Sequence, residues 1–237
     1  MVTFRNGAGV DGAGRTVDDE EMLWQNARTL RAQGELTALW LEAKLARQPG
    51  YLGPVDVDDD LAPGLSATLA LLNRAGYVTT SSQAGCAPVW PDGERWAQVA
   101  AVTGMATAAT AEQFSQALAG TRYRVVVSPL RHAGDGDGDF FGTPVTWRAG
   151  TETTWFGPVS DLREFPVDAE VALTMVDTVA GPNELWPLLR SAAEATKHAY
   201  DVRMASGNLR TEGVEGPLPP LGLSSFGPGL ATARSRC

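Results

Sequence analysis

Histidine and cysteine are scarce: His132, His198, Cys86 and Cys237 are the only examples among 237 residues. Two cysteines without CxxC spacing build neither a disulfide framework nor a thiolate metal site, and the two histidines lack metal-ligand spacing. No metal is expected, and a reducing cytoplasm is the expected location. Cations are in deficit, with 19 Lys and Arg against 28 Asp and Glu and a formal net charge of -9. That balance argues against sequence-independent binding of nucleic acid and against attraction to an anionic membrane. Nowhere do about 18 apolar residues run together, as a membrane span needs. The opening MVTFRNGAGVDGAGR also lacks the apolar stretch of a secretory signal. What is abundant is ordinary core material: 43% of residues are hydrophobic, enough to bury a core without a covalent staple.

Hydrophobic spacing divides the chain into a Gly-rich tail over 1–15, one domain over 16–204 and a Gly, Pro and Ser-rich tail over 205–237. Thr16, followed by Asp18, Asp19, Glu20 and Glu21, starts a helix with acidic residues in its first turn. Leu23, Ala27 and Leu30 continue it to a break at Gly34, and Leu36, Leu39, Trp40 and Ala43 carry the pattern on. Trp24 and Trp40 are expected to pack this helical pair. A Pro- and Gly-punctuated loop leads to a helix marked by Leu65, Leu69 and Leu72, which stops at Gly76. Tyr77 to Gln83 then reads as a strand, and Trp96 to Met105 as a second. Thr110 and Gln113 form a capping box for a helix ending before Gly120. TRYRVVVSPL follows as a strand, TPVTWRAGTETTWFG as a strand and a turn, and VALTMVDTV as a buried strand, and PNELWPLLRSAAEATKH closes with a helix. The fold class expected is α/β, mixed α+β, with central mixed β-sheets flanked by helices.

Three segments in order carry a family resemblance. LLNRAGYVTTSSQAG has a helix ending in Asn-x-x-Gly and a strand ending in Thr-x-x-Ser-Gln, through Asn73, Gly76, Thr79, Ser82 and Gln83. ERWAQVAAVTGMATAATAEQFSQALAG supplies the next strand and helix, with Gln98 and Ala100 on pattern. PVTWRAG and VALTMVDTVAGPNELWPLL add Val145, Thr146, Trp147, Val176, Asp177, Leu185 and Trp186. Together they resemble the regulatory, S-adenosylmethionine-binding domain of methylenetetrahydrofolate reductase over roughly Gly34 to Thr196. The chain also resembles a group of actinobacterial proteins, so a bacterial source is expected. A complete (β/α)8 barrel of about 250 residues does not fit beside this domain, so no flavin and no reductase activity are expected.

The resemblance implies S-adenosylmethionine or S-adenosylhomocysteine as ligand, with Thr79, Ser82 and Thr146 where the family uses hydroxyl residues to hold it. Each hydroxyl offers one donor and two acceptor sites to a carboxylate or ribose. Threonine is also simply favoured in strands, and Asn73 can serve only as a helix-end residue. The sequence departs from the family where a Glu-Thr pair falls at Leu61 and Ala62, and where a ligand-binding Thr falls at about Val159. Asp60 can replace the Glu and Ser160 the Thr; the alternative for Asp60 is a solvated acidic loop.

Other constellations fail. Asp135, Asp137 and Asp139 open like a calcium loop, but Phe140 and Thr146 stand where Gly and Glu are required. RNGAGVDGAG follows no strand and precedes no GK[ST], and no Ser or Cys86 sits beside a base, so catalytic residues stay unassigned. Either histidine can still act as an isolated general base. Three functions remain: a stand-alone binder of an adenosyl ligand, an S-adenosylmethionine-using transferase or lyase, and an interaction module without the small ligand. The partners expected are the adenosyl ligand and either a protein or a second copy of the chain.

Overall fold

The computed structural model describes residues 17–49, 62–87, 95–130, 142–157, 166–181 and 184–205. Helices α1 (Val17–Asn26), α2 (Leu30–Leu41) and α3 (Leu65–Arg74) precede strand β1 (Val78–Gln83). Strands β2 (Trp96–Gln98) and β3 (Ala101–Ala106), helix α4 (Ala108–Leu118) and strand β4 (Arg124–Pro129) follow. The chain continues through β5 (Thr143–Arg148), β6 (Thr151–Phe156), β7 (Val171–Val176) and α5 (Leu185–Ala205). One sheet has the order β1-β3-β7-β4 and the other β2-β5-β6. The mixed α/β class with helix-flanked sheets is as expected, and every described pairing of strands is antiparallel.

The four-stranded sheet is buried on both faces, which explains why VALTMV in β7 is apolar almost throughout. Val102, Leu173 and Met175 join the helices in the main core, with Tyr77, Leu69, Phe114 and Leu189. The alternate residues Ala101 and Val176 pack with Val145 and Phe156 between the two sheets. Farther along that second face, Leu30 at the start of α2 covers Val78 and Met105. Tyr77 locks the helix layer to the sheet, because its fully buried hydroxyl donates to Leu173 O at 2.8 Å.

Several boundaries differ from those the sequence suggests. The first helical break falls at Ala27–Thr29, where Thr29 caps α2 by accepting from Ala32 N at 3.2 Å. Gly34 lies inside α2, because a Cβ there would sit 2.3 Å from Asn73 O on α3. It is a contact residue, not a breaker. Trp96 to Met105 is two strands in different sheets rather than one. Thr107, not Thr110, caps α4, accepting from Thr110 N at 3.1 Å. The segment after Pro144 is a hairpin, turned by Ala149 and Gly150 at φ 49 and 82. Both residues are left-handed, as a tight hairpin turn demands. Trp24 and Trp40 do pack against the helical core. Cys86 is disulfide-bonded rather than a reduced thiol; Cys237 lies outside the described residues.

An ion cluster ties α2 to α3. The Arg74 guanidinium binds both oxygens of Glu42 and, through Nε at 3.1 Å, Glu35. Those hydrogen bonds hold the Glu42 carboxyl at about 2, below its ordinary value, against a smaller opposing effect of burial. A lowered folded value means that the stabilisation is complete above the unfolded carboxyl range and disappears as pH falls toward 2. Solvent reaches this surface, so Glu42→Gln is expected to cost only about 1 kcal/mol at neutral pH. Urea unfolding should show the two proteins converging in acid; a gap unchanged between neutral and acid pH would refute the coupling.

Candidate functional site

Strand β1 is the centre of the candidate site, and its position follows from how α3 ends. Gly76, at φ 84, lets the chain leave the helix, with Gly76 N and Tyr77 N donating to Asn73 O and Leu72 O at 3.2 Å. The Asn73 side chain then reaches forward. Its Nδ2 donates to Leu69 O at 2.8 Å and to Thr79 Oγ1 at 2.7 Å, and its Oδ1 accepts from Thr79 N at 3.0 Å. Asn73 is 1% exposed, so all of this happens away from water. It is more than a helix-end residue, since it sets where β1 begins.

The register of β1 on β3 decides which hydroxyls share a face. Thr79 pairs with Gly104 and Ser82 with Val102, while Ser81 pairs with Thr103 and Gln83 with Ala101. Thr80 is the extra residue of a bulge, and its hydroxyl donates to Thr103 O at 3.2 Å. Thr79 and Ser82 therefore lie on the helix-facing side with Val102. Gln83 lies on the other side with Ala101, toward the second sheet. Gly104 allows the crossing: a Cβ there would be 2.1 Å from Val78 O.

Gln83 pins the sheets together. Its Nε2 donates to Val99 O and Val145 O, each at 2.9 Å, and its Oε1 accepts from Thr146 Oγ1 at 3.2 Å. Gln98, on β2, donates from Nε2 to Ala84 O, and its backbone forms a bridge with Cys86. Neither glutamine stood out as a site residue in the sequence. The signal was available, because a glutamine inside an apolar strand pattern must find buried partners.

The structure thus brings Thr79 and Ser82 to one face of β1 and holds Thr146 on the opposite side, through Gln83. Thr79 is nearly buried and Thr146 fully so, whereas Ser82 is half-buried and its hydroxyl has no partner among the described residues. Asp60, Leu61, Val159 and Ser160 lie outside the described residues, as do His132 and the Asp135 to Asp139 loop. Ala62 is half-buried and packs against the main core, and His198 is exposed on α5. Among the described residues no group of three His, Cys, Asp or Glu is placed to hold a metal, and no helix is long and apolar enough to cross a membrane.

Two other polar features stand apart from β1. Asp177 follows β7 with its carboxylate fully buried; Oδ2 accepts from Arg122 Nη2 at 2.8 Å and Oδ1 from Val179 N at 3.0 Å. That hydrogen bond raises the Arg122 value. An open depression of about 270 Å³ is lined by Arg31, Glu35, Arg74, Lys197 and Asp201. Its charges largely neutralise one another, with Arg74 on Glu35 and Lys197 on Asp201.

These elements define a three-layer α/β domain, helices on one face of a four-stranded sheet and a second sheet on the other, with a hydroxyl-bearing edge strand fixed by an asparagine. The chain belongs to the family described as a domain of unknown function, DUF6919, whose model matches residues 19–192. That span runs from within α1 into α5. Comparison with curated proteins gives no match.

Proposed function

We propose that this chain is a binding domain for an adenosyl ligand, S-adenosylmethionine or S-adenosylhomocysteine, held from the helix-facing side of β1. One observation carries the reading. Thr79 Oγ1 accepts from Asn73 and keeps its own proton to donate, while Ser82, on the same face, keeps its hydroxyl unpartnered among the described residues. Their partners Gly104 and Val102 are two positions apart on β3, so the hydroxyls stand roughly 7 Å apart along the sheet. That spacing suits two groups of one zwitterionic or ribosyl ligand. The ordered likeness to the reductase regulatory domain supplies the ligand class. In this reading Thr146 orients Gln83 and does not touch the ligand, and Asp60 and Ser160 remain candidate contacts. The cytoplasm is the location that goes with this reading.

Titration calorimetry with each ligand tests the proposal. Binding is expected to weaken about tenfold in Ser82→Ala, the loss of one hydrogen bond worth about 1.4 kcal/mol. Thr79→Ser, which keeps the hydroxyl, should bind as the native protein does. The absence of heat at millimolar ligand rejects the ligand class, and unchanged affinity in Ser82→Ala rejects the face. Product analysis after incubation separates a binder from an S-adenosylmethionine-using transferase or lyase. The interaction-module reading draws its support from Thr79 and Thr146, whose hydroxyls both already serve internal hydrogen bonds.

A further inference from the structure

The outer strands of the two sheets are β1, β4, β2 and β6, and three of them are protected against pairing with another chain. Strand β1 carries the bulge at Thr80, β2 has three residues, and β6 presents exposed Thr151, Glu152 and Thr153. Bulges, short strands and charges are the usual means of blunting an edge. Strand β4 carries no bulge, runs six residues, and has its one charge, Arg124, and its proline, Pro129, only at its two ends. It pairs with β7 in unbroken register from Arg124 to Pro129, contains Val125, Val126 and Val127 in succession, and leaves Val127 47% exposed. Among the described residues no strand pairs with its outer row of backbone N–H and C=O groups, which is a template for one more strand.

We propose that β4 pairs antiparallel with β4 of a second copy about a two-fold axis, joining two four-stranded sheets into one of eight strands. Charge selects this occupant. At one end of β4 stands exposed Arg124, which has no ion pair among the described residues, whereas neighbouring Arg122 is held by Asp177. At the other end stands exposed Glu170, next to Val171, which pairs with Pro129. One Glu170 oxygen accepts from Ala108 N, and no described donor engages the other. A two-fold axis brings the Arg124 end of each copy to the Glu170 end of its partner. With Val126 on the axis, Arg124 faces Ser128 of the second copy. Ser128 pairs with Ala172, and Glu170 lies two residues along on the same side. The lateral step is about 4.8 Å per strand, within reach of extended Arg and Glu side chains. Only Val and Ser meet at the centre, so no like charges face each other there.

Sedimentation equilibrium of the purified full chain at tens of micromolar is the test. The native protein should sediment at twice the monomer mass. Arg124→Glu and Glu170→Arg should each give monomers with unchanged far-ultraviolet circular dichroism, and the double exchange should restore the dimer. Val127→Lys, an edge lysine at an exposed position, should also give a monomer, and it replaces either charge variant that loses its circular dichroism. A native chain that is monomeric, or a dimer that survives both Arg124→Glu and Val127→Lys, overturns the proposal.

Discussion

Gly104→Ala is expected to remove roughly 4 kcal/mol of stability, an unusually large loss for one methyl group. The added carbon would meet Val78 O at 2.1 Å, with Val78 C and Thr79 Cα both at 2.8 Å. All three are backbone atoms of β1, so no side chain can rotate to make room. Relief requires moving β1 off β3, which opens the sheet and carries the Asn73–Thr79 contact with it. On the far side Gly104 pairs with Leu173 in β7, so β3 cannot retreat either. A domain is commonly held by about 5–15 kcal/mol, so low soluble yield is expected to accompany the loss. Gly120→Ala is the control, because nothing lies within 4 Å of a Cβ there although φ is +73. That strain alone costs about 1 kcal/mol. Urea unfolding followed by tryptophan fluorescence should place the two variants far apart. Equal midpoints would show that β1 and β3 yield freely, and the rigid placement of Thr79 and Ser82 would be lost as an argument.

The same glycine shows where sequence reading stops. Local chemistry was legible: the Gly76 stop, the strand that follows it, and the alternation of apolar residues in β7 depend on neighbours a few positions away. Gly34 and Gly104 were not legible, since each is required by a backbone atom distant in sequence, Asn73 O and Val78 O. A glycine in a helical pattern reads locally as a break. The division of Trp96 to Met105 was hidden for a related reason. Val99 and Ala100 are both buried, so the apolar pattern runs unbroken while the chain passes from one sheet to the other. There Val99 N donates to Val145 O at 3.0 Å, a partner 46 residues on. At the candidate site the residue types were legible and their facing was not. Thr79, Ser82 and Thr146 suggested one pocket by kind, yet the bulge at Thr80 and the Gln83 contact decide that Thr146 belongs to the other side of β1.

Asn73→Leu is expected to cost about 3 kcal/mol, because it removes three buried hydrogen bonds and leaves Thr79 N without its acceptor. Similar volume makes leucine a test of hydrogen bonding more than of packing. Asn73→Asp is the sharper probe. The carboxylate can accept from Thr79 N as the amide does, and the Thr79 hydroxyl can turn to donate to it. It cannot donate to Leu69 O, which it would face as an unscreened negative charge beside a carbonyl. The variant should therefore be least stable at neutral pH and recover part of the loss in acid, where a protonated carboxyl regains one donor. The sign follows from burial, which raises a carboxyl in the folded state and makes protonation favour folding. Thr79→Val should cost about 1 kcal/mol alone, and less again on the Asn73→Leu background, because the two residues share one contact. Strict additivity in that double-mutant cycle would separate Asn73 from Thr79. The strand start would then depend on Gly76 and Tyr77 alone, and the hydroxyl proposed to meet a ligand would lose the partner that orients it.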